Sequence, residues 1–318
     1  MSATNLSAAA SAIGTVYAKL ALRDVMEDAF WSQFAGLPGS GMPIIKRTEI
    51  LDGPGSSITV PVTSKLTGAG RTEEQTLSGQ EEALTVSNVV LTPQFKRHGV
   101  LNERLAQMRS SISLHEEARM RLAEWGRETV DADRFTAFSV ATGTPNTYFG
   151  EGAAIGSITA AGGKLTVAHI RGIKKALITN GAVPMQTRNG AKLYGMVVTP
   201  SMEFDVKSDS AWNTAVVQAG ERGLDNPWLS GALGVIDGVA IFVDRGVVTA
   251  TDGAASAKVA RGLAFGAEAF VEGWQEQAFW ADDKFDYEGQ HGFSFGYSFQ
   301  AVRSPVKKNV VLGYFASA

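Results

Sequence analysis

The chain of 318 residues contains no cysteine. This absence excludes disulfide bonds, thiolate metal sites and cysteine nucleophiles. No basic residue precedes an apolar run between Met1 and Gly14, so no secretory signal is predicted. No stretch reaches the roughly 18 consecutive apolar residues of a transmembrane helix. We therefore expect a soluble protein without a membrane partner.

The chain also lacks an excess of positive charge. Its 29 Lys and Arg residues stand against 32 Asp and Glu residues, for a net charge of -3. A protein that grips nucleic acid over a wide surface usually has a clear basic excess. A protein of this charge can line a space that holds DNA, but the charge does not indicate a DNA-binding module.

Motifs that carry catalytic chemistry are scarce. The segment Ala161-Gly162-Gly163-Lys164-Leu165 resembles a phosphate loop, but it lacks the earlier glycine and the Ser or Thr after the lysine. We interpret it as a turn before a helix. Gly53-Pro54-Gly55 and Gly68-Ala69-Gly70 lack the third glycine and the following helix of a dinucleotide site. Gly292-Phe293-Ser294-Phe295-Gly296 has the Gly-x-Ser-x-Gly spacing, but it lies in an alternating, strand-like segment and not at the strand-to-helix turn of a nucleophile elbow.

The titratable residues form no convincing active site either. The chain has four histidines: His98, His115, His169 and His291. No two of them have the i, i+4 spacing of a zinc helix. His115 is best explained by packing or by an interface. Asp282, Asp283, Asp286 and Glu288 form an acidic group that could provide paired carboxylates or a calcium site. However, Lys284 lies among them, and they lack the EF-hand spacing. A solvated turn before a strand is favoured. We predict no catalytic, cofactor-binding or metal residue, and no enzyme.

The N-terminal region predicts an arm and a helix. The first dozen residues are mostly Ser, Ala, Thr and Asn, which is typical of a mobile terminal arm. Apolar residues then recur at helical spacing: Leu22, Val25, Met26, Ala29 and Phe30. The helix runs into Trp31 and Phe34 and ends near Gly36. Its apolar end needs a partner surface, either its own domain or a neighbouring copy, and both remain open.

A strand, a long polar loop and a return strand follow. Ile58, Val60 and Val62 alternate with other residues at period two, and Pro61 predicts an edge strand because proline cannot donate to a ladder. The polar stretch 64–82 is longer than a hairpin turn needs. The return strand begins at Leu84. Such an excursion is marginal alone in water and needs a surface to lie on.

The next prediction is a long helix that begins at the N-cap residue Asn102 and runs to Val140. Its apolar face should contain Leu105, Met108, Ile112, Ala118, Leu122 and Trp125. The helix would be about 55 Å long at 1.5 Å per residue, so it should act as a strut. Trp125 should be largely buried beneath the domain.

The remaining chain predicts an α/β domain. Thr166 caps a helix whose apolar face is Val167, Ile170, Ile173 and Leu177, and Asn180-Gly181 closes it. Strands are predicted for Leu193–Thr199, Gly234–Val243 and Leu263–Val271, and helical structure for Met202–Gln218. Phe293, Phe295, Tyr297, Phe299 and Ala301 alternate with small or polar residues, which indicates a half-buried strand.

In this order the parts resemble the major capsid proteins of tailed bacteriophages, with the Hong Kong 97 type of fold, and more narrowly the family typified by phage N4. Three stretches carry the resemblance: ILDGPGSSITVPV…LTPQFKRHGV (50–100), YGMVVTPSMEFDVKSD (194–209) and GALGVIDGVAIFVDRGV (231–247). They are similar to the family's extended loop, its axial-domain strand and its glycine-containing hairpin.

The resemblance implies an α+β fold with five parts: an N-terminal arm and helix at 1–46, an extended β-hairpin loop at 47–100, a spine helix and peripheral domain at 101–160, an axial α/β domain at 161–275, and closing strands of the peripheral domain at 276–318. It leaves little room for an added N-terminal scaffolding domain.

The implied function is that of a major capsid protein, a structural subunit that self-assembles into an icosahedral head around packaged double-stranded DNA. The implied partners are other copies in hexamers and pentamers, a portal protein, and scaffolding or decoration proteins; no cofactor is implied. The implied location is the virion, with assembly in the host bacterial cytoplasm. An encapsulin-like nanocompartment shell is the alternative, and an α/β-hydrolase-like enzyme or a decoration or tail protein fits less well.

Residues at the subunit interface are predicted in the terminal helix and in the extended loop: Trp31, Phe34, Lys65, Arg71, Glu73 and Glu74. Some family members join neighbouring subunits by a Lys–Asn isopeptide bond. A single loop lysine is common, so this bond is not carried over to Lys65.

Overall fold

A computed structural model describes residues 29–48, 56–63, 81–84, 86–140, 146–188, 191–218, 234–304 and 307–317, with single positions 66, 68, 70, 72 and 78. A 3-10 helix spans Phe30–Phe34. The strands, numbered along the chain, are β1 Ala35–Gly36, β2 Ile44–Arg47, β3 Ile58–Thr63, β4 Val86–Leu91, β5 Gln94–Glu103, β6 Thr147–Phe149, β7 Gln186–Arg188, β8 Ala191–Val198, β9 Val235–Ile236, β10 Val239–Val243, β11 Thr249–Ala250, β12 Val259–Phe265, β13 Phe270–Phe285, β14 Gln290–Arg303 and β15 Val310–Ala316. The α-helices are α1 Arg104–Arg109, α2 Leu114–Phe138, α3 Val167–Thr179, α4 Pro200–Ser208 and α5 Ser210–Gln218. Short 3-10 turns lie at Ile155–Ser157, Ala254–Ser256 and Lys307–Asn309.

The peripheral domain is a sheet covered by the spine helix α2. In the described residues the sheet has the order β1-β2-β13-β14-β5. Because side chains alternate across a strand, β14 points its aromatic residues to one face, which packs against the helix. That face buries Phe293, Phe295, Tyr297, Phe299 and Ala301. The predicted half-buried strand is therefore confirmed, and we call its buried side the inner face of the sheet and the other side the outer face.

The hairpin of β3 and β4 lies on one end of the outer face. Ile58 and Leu91 are buried there against Val271 of β13, with Val302 packed beside them. Gly273 of β13 permits this approach, because a Cβ atom at that position would lie 3.0 Å from the Ile58 side chain. Pro61 lies in a strand of a two-stranded sheet, so its predicted edge position is confirmed. The predicted need for a supporting surface is met at the base of the hairpin.

The axial domain is an α/β layer. Its described strands have the order β6-β15-β12-β8-β10-β9, with β11 added to β12 and β7 to β8. Helix α3 packs on this sheet with Val167, Ile170, Ile173 and Leu177 buried. Thr166 caps the helix by accepting a hydrogen bond from the His169 N–H, and Gly181 takes a positive φ of 72° just past its end. Both predicted ends of this helix are confirmed.

The long helix was predicted to begin too early. Asn102 belongs to β5, where it pairs with His291, and its side chain donates to the Leu114 carbonyl instead of capping a helix. Residues 104–138 form two helices separated at Ser110–Ser113, so the strut contains 25 residues from Leu114 to Phe138. Of the predicted apolar face, Ala118 and Leu122 are buried, but Leu105, Met108 and Ile112 are exposed. Trp125 is only partly buried.

Three further predictions are corrected by the strand pairing. The final strand β15 pairs with β12 and β6 in the axial sheet, so residues 276–318 do not all close the peripheral domain. Strand β6 likewise places Thr147–Phe149 in the axial sheet and not in the peripheral domain. The predicted strand Leu263–Val271 is two strands, because the chain turns at Glu268, which has a φ of 52°. Residues 22–28 of the predicted terminal helix lie outside the described residues.

Candidate functional site

The described part of the chain contains no group of three or more His, Cys, Asp or Glu side chains placed to hold a metal ion. Three of the four histidines pack on aromatic rings, among them His98 on Trp125 with ring centres 5.1 Å apart and His115 on Phe293 at 4.3 Å. His169 packs near Phe315 at 5.5 Å, and burial lowers the pKa of its imidazole. This supports the packing interpretation of His115.

The acidic group lies at the exposed tip of the β13–β14 hairpin, where Asp282, Asp283, Asp286 and Glu288 are all solvent-exposed. Lys284 Nζ lies 2.8 Å from a Glu288 oxygen, and this hydrogen bond lowers the pKa of that carboxyl. The structure thus has the solvated turn that the sequence favoured. It does not bring these carboxylates together as a metal site.

A buried ion pair links the spine helix to the sheet. Arg134 of α2 donates from Nε and Nη2 to one oxygen of Glu272 in β13, at 3.1 Å and 2.9 Å. Neither side chain is exposed. Lys46 of β2 lies over the Trp274 ring, and burial, partly opposed by Glu272, lowers the pKa of its ammonium group. These charges tie three elements of the peripheral domain together.

The same helix holds the start of the described chain, at the 3-10 helix Phe30–Phe34. The Phe30 N–H donates to Asp131 at 2.8 Å, and Arg134 contacts the other Asp131 oxygen at 3.3 Å. Burial raises the pKa of Asp131, and the neighbouring Arg134 opposes that shift. The first described residues of the chain are therefore fixed beside the spine helix.

The hairpin has apolar side chains on the side that its own domain does not cover. Val86 and Val90 are more than half exposed, as are Leu66 and Leu84 at positions in and beside the loop. The covered side buries Ile58 and Leu91. A ribbon that is apolar on both sides, with one side facing solvent, is typical of a protein contact surface.

A second exposed apolar surface follows the end of β5 and the short helix α1. It consists of Leu101, Leu105, Met108 and Ile112, which are 54% to 69% exposed. We call these four residues the α1 strip. The sequence predicted three of them as a buried helix face, because their spacing is helical. Leu105 and Met108 do lie in a helix, but among the described residues no element of the same copy covers this surface.

The residues predicted at the interface have different positions. Trp31 and Phe34 lie in the core of their own chain, where Trp31 packs edge-on against Phe135 and Phe138 with ring centres 5.2 Å away. This corrects their assignment to a subunit interface, since buried side chains are not available to a neighbouring copy. The four loop residues of that prediction lie outside the described residues: Lys65, Arg71, Glu73 and Glu74.

Comparison with known sequences finds a family whose members are described as phage capsid protein, and its model matches residues 24–299. A curated relative, the major capsid protein of Pseudomonas phage KPP25, is 25% identical and covers 92% of this chain and 89% of its own length.

Solved structures show the same fold. The capsid of Ralstonia phage GP4 matches with a TM-score of 0.75 at 20% identity, over 91% of both chains. The capsid of cyanophage Pam1 matches with a TM-score of 0.79 at 17% identity, over 91% of this chain and 92% of the other. The capsid of Helicobacter pylori bacteriophage KHP30 has a TM-score of 0.71 at 14% identity. These matches identify the mixed helix and sheet architecture as the Hong Kong 97-like capsid fold.

Proposed function

The chain belongs to the phage capsid protein family and is a major capsid protein, a structural subunit of a phage head; from this premise we propose that its copies close into the icosahedral shell around packaged double-stranded DNA. The observation that carries the proposal is the family match, which spans 276 of the 318 residues, from 24 to 299. The domain divisions predicted from the sequence are part of this proposal, except where the strand pairing differs from them: β6 and β15 belong to the axial sheet, and β2, β5 and the start of β13 belong to the peripheral sheet.

The free apolar surfaces are what an assembling subunit needs. The outer side of the hairpin exposes Val86 and Val90, and the α1 strip exposes four large apolar side chains. A neighbouring copy that covers either surface removes apolar area from water, which stabilises the contact by about 25 cal/mol per Å². In a closed shell the same modest contact is repeated at every symmetric position. The polar loop at 64–82 reaches the neighbouring copy in this proposal.

The partners follow from the same proposal. Copies form hexamers and pentamers, a portal protein occupies one position in the head, and scaffolding or decoration proteins bind the shell. The shell assembles in the host bacterial cytoplasm and becomes part of the virion. The net charge of -3 supports enclosure of DNA without sequence-specific binding, since specific DNA-binding surfaces carry a basic excess. Among the described residues, no helix combines the length and apolarity needed to cross a bilayer.

The proposed role is structural and not catalytic. Membership in a capsid family implies such a role, and a pure preparation should show no hydrolase, transferase or redox activity. Turnover that is lost when His98, His115, His169 or His291 is replaced would contradict this. The cargo-enclosing nanocompartment is not favoured, because the matched family, the curated relative and the solved structures described above are phage capsids.

The test is assembly of the full chain. Expressed alone or with its scaffolding protein, the chain should form closed particles that are visible by negative-stain microscopy and sediment far ahead of a 33.7 kDa monomer. Val90→Asp should reduce particle yield at least tenfold, because it places a charge on the outer side of the hairpin. The matched control Val90→Thr, which keeps the shape of the side chain without a charge, should assemble nearly normally. A wild-type chain that stays monomeric under every condition would overturn the proposal.

A further inference from the structure

Charge is unevenly distributed along the chain. Residues 152–202 contain no Asp or Glu, although the whole chain has 32 acidic residues and a net charge of -3. The same segment contains six basic residues: Lys164, Arg171, Lys174, Lys175, Arg188 and Lys192. It includes helix α3 and strand β8, so this local excess of positive charge belongs to one part of the axial domain.

Helix α3 presents part of this charge on its solvent side. Its buried face packs on the axial sheet, and the opposite stripe of the helix is exposed: Ala168, Arg171, Lys175 and Thr179. Because Arg171 and Lys175 are four positions apart, their side chains are neighbours on the helix surface. Lys192 is exposed on the same side of the sheet, since Tyr194 and Met196 of its strand are buried in the cluster that contains the buried face of α3.

Lys174 connects the helix to this strand. Its Nζ atom is 3.4 Å from the point where a Cβ atom of Gly238 would lie, and the Lys192 carbonyl oxygen is 2.9 Å from the same point. The cations of α3 and β8 therefore form one surface. We call its four members the basic patch: Arg171, Lys174, Lys175 and Lys192.

The carboxylates on the elements around the patch already have partners. Three of them form ion pairs: Asp237 with Lys174 at 3.2 Å, Asp205 with Lys164 at 3.7 Å and Glu203 with Lys207 at 2.6 Å. Asp209 accepts a hydrogen bond from the Val167 N–H at 2.9 Å, at the start of α3. Among the described residues, no carboxylate forms an ion pair with Arg171, Lys175 or Lys192. These three positive charges are therefore available to an anionic partner.

We propose that the basic patch lies on the inner wall of the shell and binds phosphate groups of the packaged double-stranded DNA. The inference deepens the proposed function and rests on it. Duplex DNA has one negative charge per about 1.7 Å of its axis, so every part of it presents phosphates to these cations. Contacts of Lys and Arg to phosphate position DNA without reading its sequence. The patch thus gives the shell a DNA contact that is independent of sequence.

The composition of the patch favours DNA over a second copy of the chain. The rival occupant is the loop of a neighbouring copy, since residues 67–82 contain four Glu and one Arg. However, that loop is flanked by Leu66 and Leu84, which are 56% and 58% exposed and need an apolar surface to cover them. The core of a protein interface is poor in Lys and rich in aromatic residues. Three of the four residues of the patch are Lys, and its helix stripe is completed by Ala168 and Thr179.

The place of the patch in the shell is tested with one introduced cysteine, because the chain has none of its own. Particles of Lys175→Cys are assembled without DNA and treated with N-ethylmaleimide or with a maleimide on a long polyethylene glycol chain. The small reagent should pass the shell and label the cysteine. The large reagent should label closed particles at least tenfold less than free subunits. Entry of a small DNA-binding dye into filled particles is the control for permeability.

Binding of phosphate is tested on free subunits with a short DNA duplex of random sequence at low salt. Arg171→Glu combined with Lys175→Glu should lower the affinity at least tenfold. It should also reduce the slope of log affinity against log salt by about 2, at roughly 0.9 per phosphate contact. The matched control is Arg104→Glu combined with Arg109→Glu, which changes the net charge equally at the exposed side of α1 and should retain most of the affinity. Circular dichroism should be unchanged in both double variants.

The outcomes separate this inference from the proposed function. If both reagents label closed particles, the patch lies on the outside and the inference is wrong. If neither reagent labels them while the dye enters, a neighbouring copy covers the patch and the inference is also wrong. Equal losses of DNA affinity in the two double variants would refute binding at the patch. In each of these cases the capsid function stands, whereas failure of the wild-type chain to form particles under any condition belongs to the proposed function.

Discussion

Arg134 of the spine helix and Glu272 of β13 form an ion pair from which solvent is fully excluded, with Nη2 and Oε2 2.9 Å apart. The residues are 138 positions apart in the chain. The other Glu272 oxygen has no hydrogen-bond partner among the described residues. Each charge is stable in this position only while its partner is present, because burial of an isolated charge costs several kcal/mol of folding free energy.

We therefore predict that Arg134→Met and Glu272→Leu each lower the free energy of unfolding of the subunit by about 3–5 kcal/mol. The double variant should be less destabilised than either single variant, since neither Arg134 nor Glu272 then remains as an unpaired charge, while Asp131 keeps its hydrogen bond from the Phe30 N–H. Urea denaturation followed by circular dichroism measures all three values. Arg121→Ala, which removes an exposed pair with Glu117, is the control and should change little. Additive losses in the double variant would contradict the prediction.

The two tryptophans predicted as important differ in burial. Trp31 is completely buried, whereas Trp125 is partly exposed and packs on His98 and Tyr297. Trp31→Ala should cost about 3–5 kcal/mol, the range for a large core truncation. Trp125→Ala should cost clearly less than that range, because the side chain is only partly buried, whereas the sequence predicted that it is largely buried. Denaturant midpoints of the two variants provide the comparison, and a larger loss for Trp125→Ala would be inconsistent with this packing.

The elements that the sequence predicted well are those with one buried face. Strand β14 alternates because its inner face meets the spine helix, and helix α3 has both an apolar face and end signals at Thr166 and Gly181. Strand β5 was missed because it is the last strand in its sheet and is largely exposed. Without a buried side its residues show no period of two, so Asn102 was interpreted as a helix cap.

The candidate contact surfaces were harder to predict for a related reason. Helical spacing of Leu105, Met108 and Ile112 indicates an apolar face, but spacing does not show whether that face packs within the copy or outside it. Glu272 gives no signal in the sequence, because its role depends on Arg134 far along the chain.

Burial of His169 predicts a pH dependence of stability. Burial lowers the pKa of its imidazole below the ordinary 6.5, while a hydrogen bond from the imidazole to the Lys164 backbone and the nearby Asp209 carboxylate oppose the shift. The unfolded chain thus binds the proton more readily than the folded one. Stability from this residue is fully present above pH 6.5 and decreases as the pH falls through the unfolded value.

The measurement is the free energy of unfolding at pH 7.5 and pH 5.5 for wild type and His169→Gln. The decrease on acidification should be smaller in the variant, since the other titrating groups are common to both chains. Tyr148 and Phe315 pack near the ring, and neither side chain titrates between these two pH values, so loss of their packing lowers stability equally at both. An equal decrease in the two proteins would show that His169 does not contribute to the dependence.

The extended loop provides the prediction that separates folding from assembly. The base of its hairpin is held by Ile58 and Leu91 against Val271, and by a hydrogen bond that the Thr92 N–H donates to the Gln300 side chain. These contacts are made by residues outside 67–77, a segment most of which lies outside the described residues. Replacing Thr67–Leu77 with a short Gly-Ser turn should therefore leave the fold intact. Circular dichroism and the unfolding midpoint of the isolated subunit should match those of wild type.

Assembly should respond differently, because in the proposed shell this loop lies on a neighbouring copy at every equivalent position. A loss of about 1.4 kcal/mol per contact weakens each association step about tenfold, and a closed particle contains many such steps. The expected product is folded subunits that do not sediment as particles. A matched chain in which the same eleven positions are shuffled keeps the loop length and tests whether length alone suffices. Closed particles from the shortened chain would refute the role of the loop, whereas misfolded subunits would place its contacts within the chain's own domain.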